Sequence, residues 1–171
     1  MEVIINESAF ISMVTSAVET YPNETLGVLI GLRKAGKIIV QLATAYQTAE
    51  RNEDSVEVHP KLSDRMGNFL EQVTHLEVVG DFHSHPGIGV DRKTSVKLSV
   101  PDRDSMIVNN LGIVIAVDKD GRKLEWKHLP KGSLKGSVSP YTLKMTTWLK
   151  TPENQYKIAQ NFCPFALGIG R

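Results

Sequence analysis

Several common features are scarce in this sequence of 171 residues. Cysteine occurs once, at Cys163, which excludes an intramolecular disulfide and a metal site built from several cysteines. Neither sign of charge is in excess, because 20 Lys and Arg face 19 Asp and Glu, so nucleic acid and anionic membranes are not favoured as main partners. Charges interrupt every apolar run within about ten residues, whereas a membrane span needs about 18. We therefore expect a protein of the reducing cytoplasm with no membrane partner.

The rest of the composition is typical of a globular chain. Hydrophobic residues make up 41% and charged residues 23%, which excludes a disordered or collagen-like polymer. Residues 1–21 lack the basic start and apolar core of a signal peptide, so we expect no export. We place a compact domain in residues 1–130. Residues 131–171 are expected to form an extension that packs on this domain as a helix, or that docks a protein partner or a second copy of the chain.

Hydrophobic periodicity predicts both helices and strands. Apolar residues at helical spacing predict helices over 8–19, 63–75 and 101–110. Short β-prone runs predict strands over 24–32, 37–46, 77–83, 111–117 and 122–129. Turn signals are expected to join the first two strands, and also the last two, as hairpins. Because helices and strands alternate without regular βαβ spacing, we expect an α/β fold with a mixed sheet flanked by helices.

The most informative stretch reads GDFHSHP. Residues i and i+2 of a strand point to the same face, so His83 and His85 would aim two imidazoles at one point. Imidazole nitrogen suits zinc, and a catalytic zinc usually has three protein ligands plus water, so a third ligand is expected further along the chain. Asp102 is the best candidate, with Asp91 and Asp104 as rivals. A His-x-His pair alone also fits two polar residues at the end of a strand.

The segment that contains Ser99 and Asp102 has two interpretations, a metal ligand at Asp102 and a helix cap. Ser99 and Asp102 are three positions apart at the start of a predicted helix, which is the spacing of a capping box. The two roles are compatible, because a carboxylate positioned by the helix start can still bind a metal.

With Glu24 added, the pattern resembles the JAMM (MPN+) zinc metalloproteases, whose signature is a Glu, then His-Ser/Thr-His-Pro, then Ser-x-x-Asp. The surrounding YPNETLGVLIG looks like the family's Glu-bearing strand, with glycines three and seven positions beyond the Glu. The resemblance covers roughly residues 1–130 and is to a prokaryotic-type, single-domain member. One departure is the thirteen residues, 86–98, between the second His and the Ser, where the family usually has seven.

The resemblance implies a fold similar to that of cytidine deaminases and one zinc ion per chain, bound by His83, His85 and Asp102. It also implies Glu24 as general base and Ser99 as oxyanion donor. The implied activity is hydrolysis, by zinc-activated water, of a peptide or isopeptide bond at the C-terminus of a ubiquitin-like modifier or sulfur carrier protein. We expect the extended tail of that substrate to add as a β-strand beside the active-site strand.

Other interpretations stay open. A non-catalytic MPN scaffold would only bind partners, although such relatives typically lose ligands that this chain keeps. A RadC-like relative, linked to DNA repair, usually has His-Asn-His-Pro, and here Ser84 replaces that Asn. The loop 87–98 is either a mobile lid over the substrate or an indifferent surface insertion. A basic group is read as a solvated edge in preference to a nucleic-acid surface: Lys127, Lys131, Lys135 and Lys144.

Overall fold

The structure, a computed structural model, describes residues 1–87 and 94–169 as a mixed α/β fold. Its helices are α1 (Glu7–Glu19), α2 (Pro60–Leu70), α3 (Val100–Ser105) and α4 (Pro164–Gly168). Its strands are β1 (Glu2–Ile5), β2 (Leu26–Lys34), β3 (Lys37–Ala45), β4 (Glu50–Arg51), β5 (Val56–Glu57), β6 (Glu77–Pro86), β7 (Leu111–Lys119), β8 (Lys127–His128), β9 (Leu134–Val138), β10 (Tyr141–Lys150) and β11 (Tyr156–Phe162).

Nine of these strands form one sheet, in the order β11-β1-β3-β2-β6-β7-β10-β9-β8. β6 and β7 are parallel, as are β1 and its two neighbours, and the remaining pairs are antiparallel. β11 also pairs with β10, so the sheet closes on itself in a barrel-like arrangement. The expected mixed sheet with flanking helices is therefore confirmed.

The main core lies on the inner face of this sheet. α1 buries one face against it, and the Phe10 ring meets the Trp126 ring edge-on at a centroid distance of 4.8 Å. A smaller apolar cluster lies on the outer face, where Val114 of β7 packs with Leu98 and Met106. Alternate residues of β7 thus face opposite sides of the sheet: Ile113 and Ile115 face the main core, and Val114 faces the outer side.

Several predicted elements are confirmed, and the second predicted hairpin is wrong. The first helix and the first hairpin lie where expected, while the helix predicted over 63–75 begins at Pro60 and ends at Leu70. The hairpin predicted between 111–117 and 122–129 does not form, because β7 pairs with β6 and β10 and the short β8 pairs with β9. Gly121, the last residue of the predicted turn, instead contacts the turn between β9 and β10, because its amide donates to the Pro140 carbonyl.

The C-terminal part is built differently from the predicted helix. Residues 134–162 supply β9, β10 and β11, and β10 pairs with the whole of β7. Only α4 is helical beyond residue 130 among the described residues. These strands belong to the same sheet as the N-terminal part, since β11 pairs with β1. In the described ranges, no helix has both the length and the apolar character that crossing a bilayer requires.

The loop expected to act as a lid is described only in part, because residues 88–93 lie outside the described residues. The part that follows is held against the outer face. The Thr94 hydroxyl donates to Asp118 at 2.5 Å, and the indole nitrogen of Trp148 donates to the Val96 carbonyl at 2.8 Å. The lid itself remains a prediction.

Candidate metal centre

The two histidines lie near the end of β6 and point to the outer face of the sheet. In the β6–β7 pairing His83 is opposite Val114 and His85 is opposite Ala116, so both imidazoles share the side of the outer apolar cluster. Their ring centroids are 4.9 Å apart. The expectation that the pair converges is confirmed, although β6 extends beyond the predicted strand to include both histidines.

The first turn of α3 brings the Asp102 carboxylate to these imidazoles. Its Oδ1 lies 3.4 Å from His83 Nε2, and its Oδ2 lies 3.6 Å from His85 Nε2. One ligand atom from each of the three side chains lies within 4.8 Å of the others. The rival Asp104 is exposed and is not part of this group, and Asp91 lies outside the described residues.

A capping box fixes the orientation of Asp102. The Ser99 hydroxyl accepts from the Asp102 amide at 3.2 Å, and Asp102 Oδ2 accepts from the Ser99 amide at 2.6 Å. The capping box is therefore confirmed, and the carboxylate that completes it also faces the imidazoles, so the cap leaves Asp102 in a position to bind a metal. As a hydroxyl, Ser99 still has its O–H available as a donor.

The electrostatics of the cluster favour an ionised Asp102. Burial of the carboxyl opposes ionisation, but the His83 and His85 imidazoles hold the pKa of Asp102 well below its usual range. Burial alone would lower the pKa of His85, yet Asp102 and the Ser95 carbonyl raise it above the usual value. Asp102 and His85 thus stabilise the charged form of each other.

The donor atoms fit a metal ion. His83 Nε2 is buried and has no hydrogen-bond partner among the described residues. His85 Nδ1 lies 2.8 Å from the Ser95 carbonyl, which can only accept, so Nδ1 carries a proton and Nε2 is the nitrogen whose lone pair a metal would use in the neutral ring. A tetrahedral zinc site with ligand bonds of about 2.0–2.1 Å has ligand atoms about 3.3 Å apart. The two nitrogen–oxygen distances of 3.4 and 3.6 Å are close to that spacing.

Glu24 lies two residues before the start of β2, the neighbour of β6, and is partly buried. Its amide donates to the Asn52 carbonyl at 2.9 Å. Burial raises the pKa of Glu24 above its usual range. His85 and His83 act in the opposite direction and lower this pKa, so the carboxyl lies within electrostatic reach of both imidazoles. This placement agrees with the family resemblance, which implied that Glu24 lies near His83 and His85.

Sequence reasoning missed how the Glu24 segment is fastened. The Thr25 amide donates to the Ser84 hydroxyl at 2.9 Å, and the Ser84 amide donates to the Thr25 carbonyl at 3.0 Å. Both residues are fully buried. The Ser between the two histidines therefore joins the Glu24 segment to β6. No local sequence signal identifies a pair separated by 59 positions.

One glycine near Glu24 is explained by close packing. A Cβ atom at Gly27 would lie 2.4 Å from the Phe82 ring and 2.4 Å from the Thr44 carbonyl oxygen, so a larger residue does not fit between β6 and β3. β6 pairs with β7 on one edge and, over residues 77–83, with β2 on the other, and the addition of a substrate strand beside the active-site strand stays a prediction.

The comparisons with known proteins agree with this arrangement. The family described as prokaryotic homologs of the JAB domain matches residues 6–90, a range that includes Glu24, His83 and His85 and ends before Asp102. No curated protein matches the chain. The solution structure of protein DSY2949 from Desulfitobacterium hafniense is similar over 94% of this chain and 92% of that one, with a TM-score of 0.63 and 14% identity, which supports the fold alone. The chain belongs to the prokaryotic JAB/MPN family.

Proposed function

We propose that this protein is a zinc-dependent isopeptidase that hydrolyses peptide or isopeptide bonds at the C-terminus of a ubiquitin-like modifier or sulfur carrier protein. The observation that carries the proposal is the convergence of His83, His85 and Asp102 beside a partly buried Glu24 in a member of the JAB/MPN family. We further propose the cytidine-deaminase-like JAMM/MPN fold, supported by the same family match. A cytoplasmic location is part of the proposal and is supported by the single cysteine.

His83, His85 and Asp102 are the residues that would hold one zinc ion per chain. Bound there, zinc would activate a water molecule as the nucleophile at neutral pH. The Ser95 carbonyl holds His85 through Nδ1, on the far side of the ring from Nε2, and the capping box holds Asp102 through Oδ2, so both ligand side chains are oriented before a metal binds.

Glu24 is proposed as the general base that takes a proton from the attacking water and passes it to the leaving amine. A carboxylate whose pKa is raised by burial is a stronger base than an exposed one, which suits this role at neutral pH. Glu24 is outside the three-residue metal-ligand group. Its task is thus separate from metal binding.

Ser99 is proposed to donate its hydroxyl proton to the oxyanion of the tetrahedral intermediate. Its oxygen accepts from the Asp102 amide while its O–H stays free to donate. Ser99 is exposed at the start of α3, beside the ligand that it caps, so a substrate carbonyl can approach it.

The test uses zinc-loaded protein, Glu24→Gln and the matched control Glu53→Gln, an exposed residue. Each is incubated with a panel of ubiquitin-like proteins joined to lysine through a C-terminal Gly-Gly, with and without a chelator. We expect chelator-sensitive cleavage by wild type and control. Glu24→Gln should keep its zinc, and its cleavage rate should fall by orders of magnitude. Cleavage at the wild-type rate by Glu24→Gln would overturn the assignment of the base, and zinc-replete wild type that cleaves none of the conjugates would favour a binding scaffold.

A further inference from the structure

Three lysines stand directly opposite one another on neighbouring strands. Lys144 of β10 is opposite Lys135 of β9, and Lys135 is opposite Lys127 of β8. Directly opposite residues of antiparallel strands project from the same face of the sheet. We call these three residues the lysine row.

The lysine row lies on the face that carries the metal cluster. On the other edge of β10, Lys144 is opposite Ala116 of β7, and Ala116 is opposite His85 of β6. One cross-strand line therefore runs from the candidate metal ligand through Ala116 to the three lysines. With strands about 4.8 Å apart, Lys144 lies about 10 Å from His85 along this line, and Lys127 about 19 Å.

The positive charges of the lysine row are not neutralised by ion pairs within the described part of the chain. Lys135 and Lys144 are partly buried and Lys127 is exposed, and among the described residues none of the three forms an ion pair. Asp118, two residues beyond Ala116 on the same face, lies diagonally opposite Lys144 and accepts a hydrogen bond from the Thr94 hydroxyl, so it offers one carboxylate for the three lysines. Like charges placed directly opposite one another destabilise a sheet. An external anionic surface would relieve this repulsion.

We propose that the lysine row docks an acidic surface of the substrate protein, which steers the bond to be cut toward the cluster of His83, His85 and Asp102. The proposal rests on the proposed function, since it names the chemistry of the substrate surface that the site selects. With a net charge of +1 the molecule as a whole attracts an anionic partner little, so the attraction has to come from a local group of charges such as this row. A row of three lysines without an interleaved aromatic side chain fits a folded acidic face better than single-stranded nucleic acid, which stacks its bases on aromatic rings.

The experiment measures binding in the Glu24→Gln background, where no turnover is needed. The probe is a fluorescein-labelled peptide of alternating Glu and Ala, compared with its Gln–Ala counterpart and with a DNA duplex of equal charge. The test variant is Lys135→Glu with Lys144→Glu. The matched control is Lys34→Glu with Lys37→Glu, because these two lysines are also directly opposite each other but lie at the far end of β2 and β3. A Lys→Arg pair at 135 and 144 keeps the charge if the reversal disturbs folding.

The acidic peptide should bind more tightly than the Gln–Ala peptide, and the test variant should weaken that binding by about tenfold at low salt. The control and the Arg pair should bind like the parent protein. Equal losses in test and control variants, or no loss in either, would overturn the proposal. Tighter binding of DNA that depends on the same two lysines would replace the acidic protein with nucleic acid. Because the experiment measures binding and not turnover, it can succeed or fail independently of the hydrolysis test of the proposed function.

Discussion

Ser84→Ala tests how the Glu24 segment is held. The substitution removes the hydroxyl that accepts from the Thr25 amide at 2.9 Å, while the two backbone partners stay in place. Thr25 and Ser84 both have 0% exposure, so water cannot easily replace the lost acceptor. A buried donor left without a partner costs about 1–3 kcal/mol in the free energy of unfolding. For a chain of this size, that loss corresponds to a decrease in Tm of about 2–12 °C.

The catalytic consequence follows from the position of Glu24, which directly precedes Thr25. A displacement of the carboxyl by about 1 Å can lower kcat by about a hundredfold. Zinc content should be unchanged, because His83, His85 and Asp102 keep their contacts. We therefore expect Ser84→Ala to lower stability and kcat together while the metal stays bound.

The assay combines urea denaturation, metal content, steady-state kinetics and hydrogen exchange at the Thr25 amide. Ser84→Thr is the matched variant, since its hydroxyl can still accept, and it should restore slow exchange and most of kcat. Wild-type stability together with unchanged protection of the Thr25 amide in Ser84→Ala would refute the reasoning. A loss of zinc would show that Ser84 supports the ligands and not the Glu24 segment.

Three further predictions concern other contacts of the site. Gly27→Ala should lower the free energy of unfolding by at least about 1–3 kcal/mol in a denaturant titration, because its Cβ would meet the Phe82 ring at 2.4 Å; wild-type stability would contradict this. Trp148→Phe should cost about 1 kcal/mol by the same titration, since the Val96 carbonyl loses its donor, and an unchanged midpoint would show that this bond contributes nothing. Burial raises the pKa of Asp81 from 3.8 to about 6, so the folded protein holds this proton more tightly than the unfolded chain does. In the metal-free protein the resulting stabilisation is complete below about pH 4 and is lost as the pH rises through about 6. Asp81→Asn should remove up to about 3 kcal/mol of that decline between pH 4 and 7, and identical pH profiles would contradict the assignment.

The sequence was sufficient for features that depend on local spacing. The period of two along a strand predicted that His83 and His85 share a face, and the structure confirms it. The Ser-x-x-Asp spacing predicted both a cap and a carboxylate at a helix start, and Ser99 and Asp102 form that capping box. The extra residues before Ser99 did not prevent Asp102 from reaching the imidazoles.

Features that depend on long-range pairing could not be predicted in this way. The DKDG turn signal favoured a hairpin after β7, but β7 pairs with β10, a strand more than twenty residues further along the chain. The alternation of Leu143 and Met145 with polar neighbours was a strand signal that the helix prediction overlooked. The contact between Thr25 and Ser84 and the alignment of the lysine row depend on sheet register, which no single segment specifies.

The zinc stoichiometry of purified protein tests the central claim most directly, with Asp102→Ala compared with its neighbour Asp104→Ala. The geometry places only the first of these carboxylates with His83 and His85. We predict one zinc per chain in wild type and in Asp104→Ala, and a large loss in Asp102→Ala at the same free zinc concentration. Full zinc retention by Asp102→Ala together with loss in Asp104→Ala would contradict the assigned metal centre.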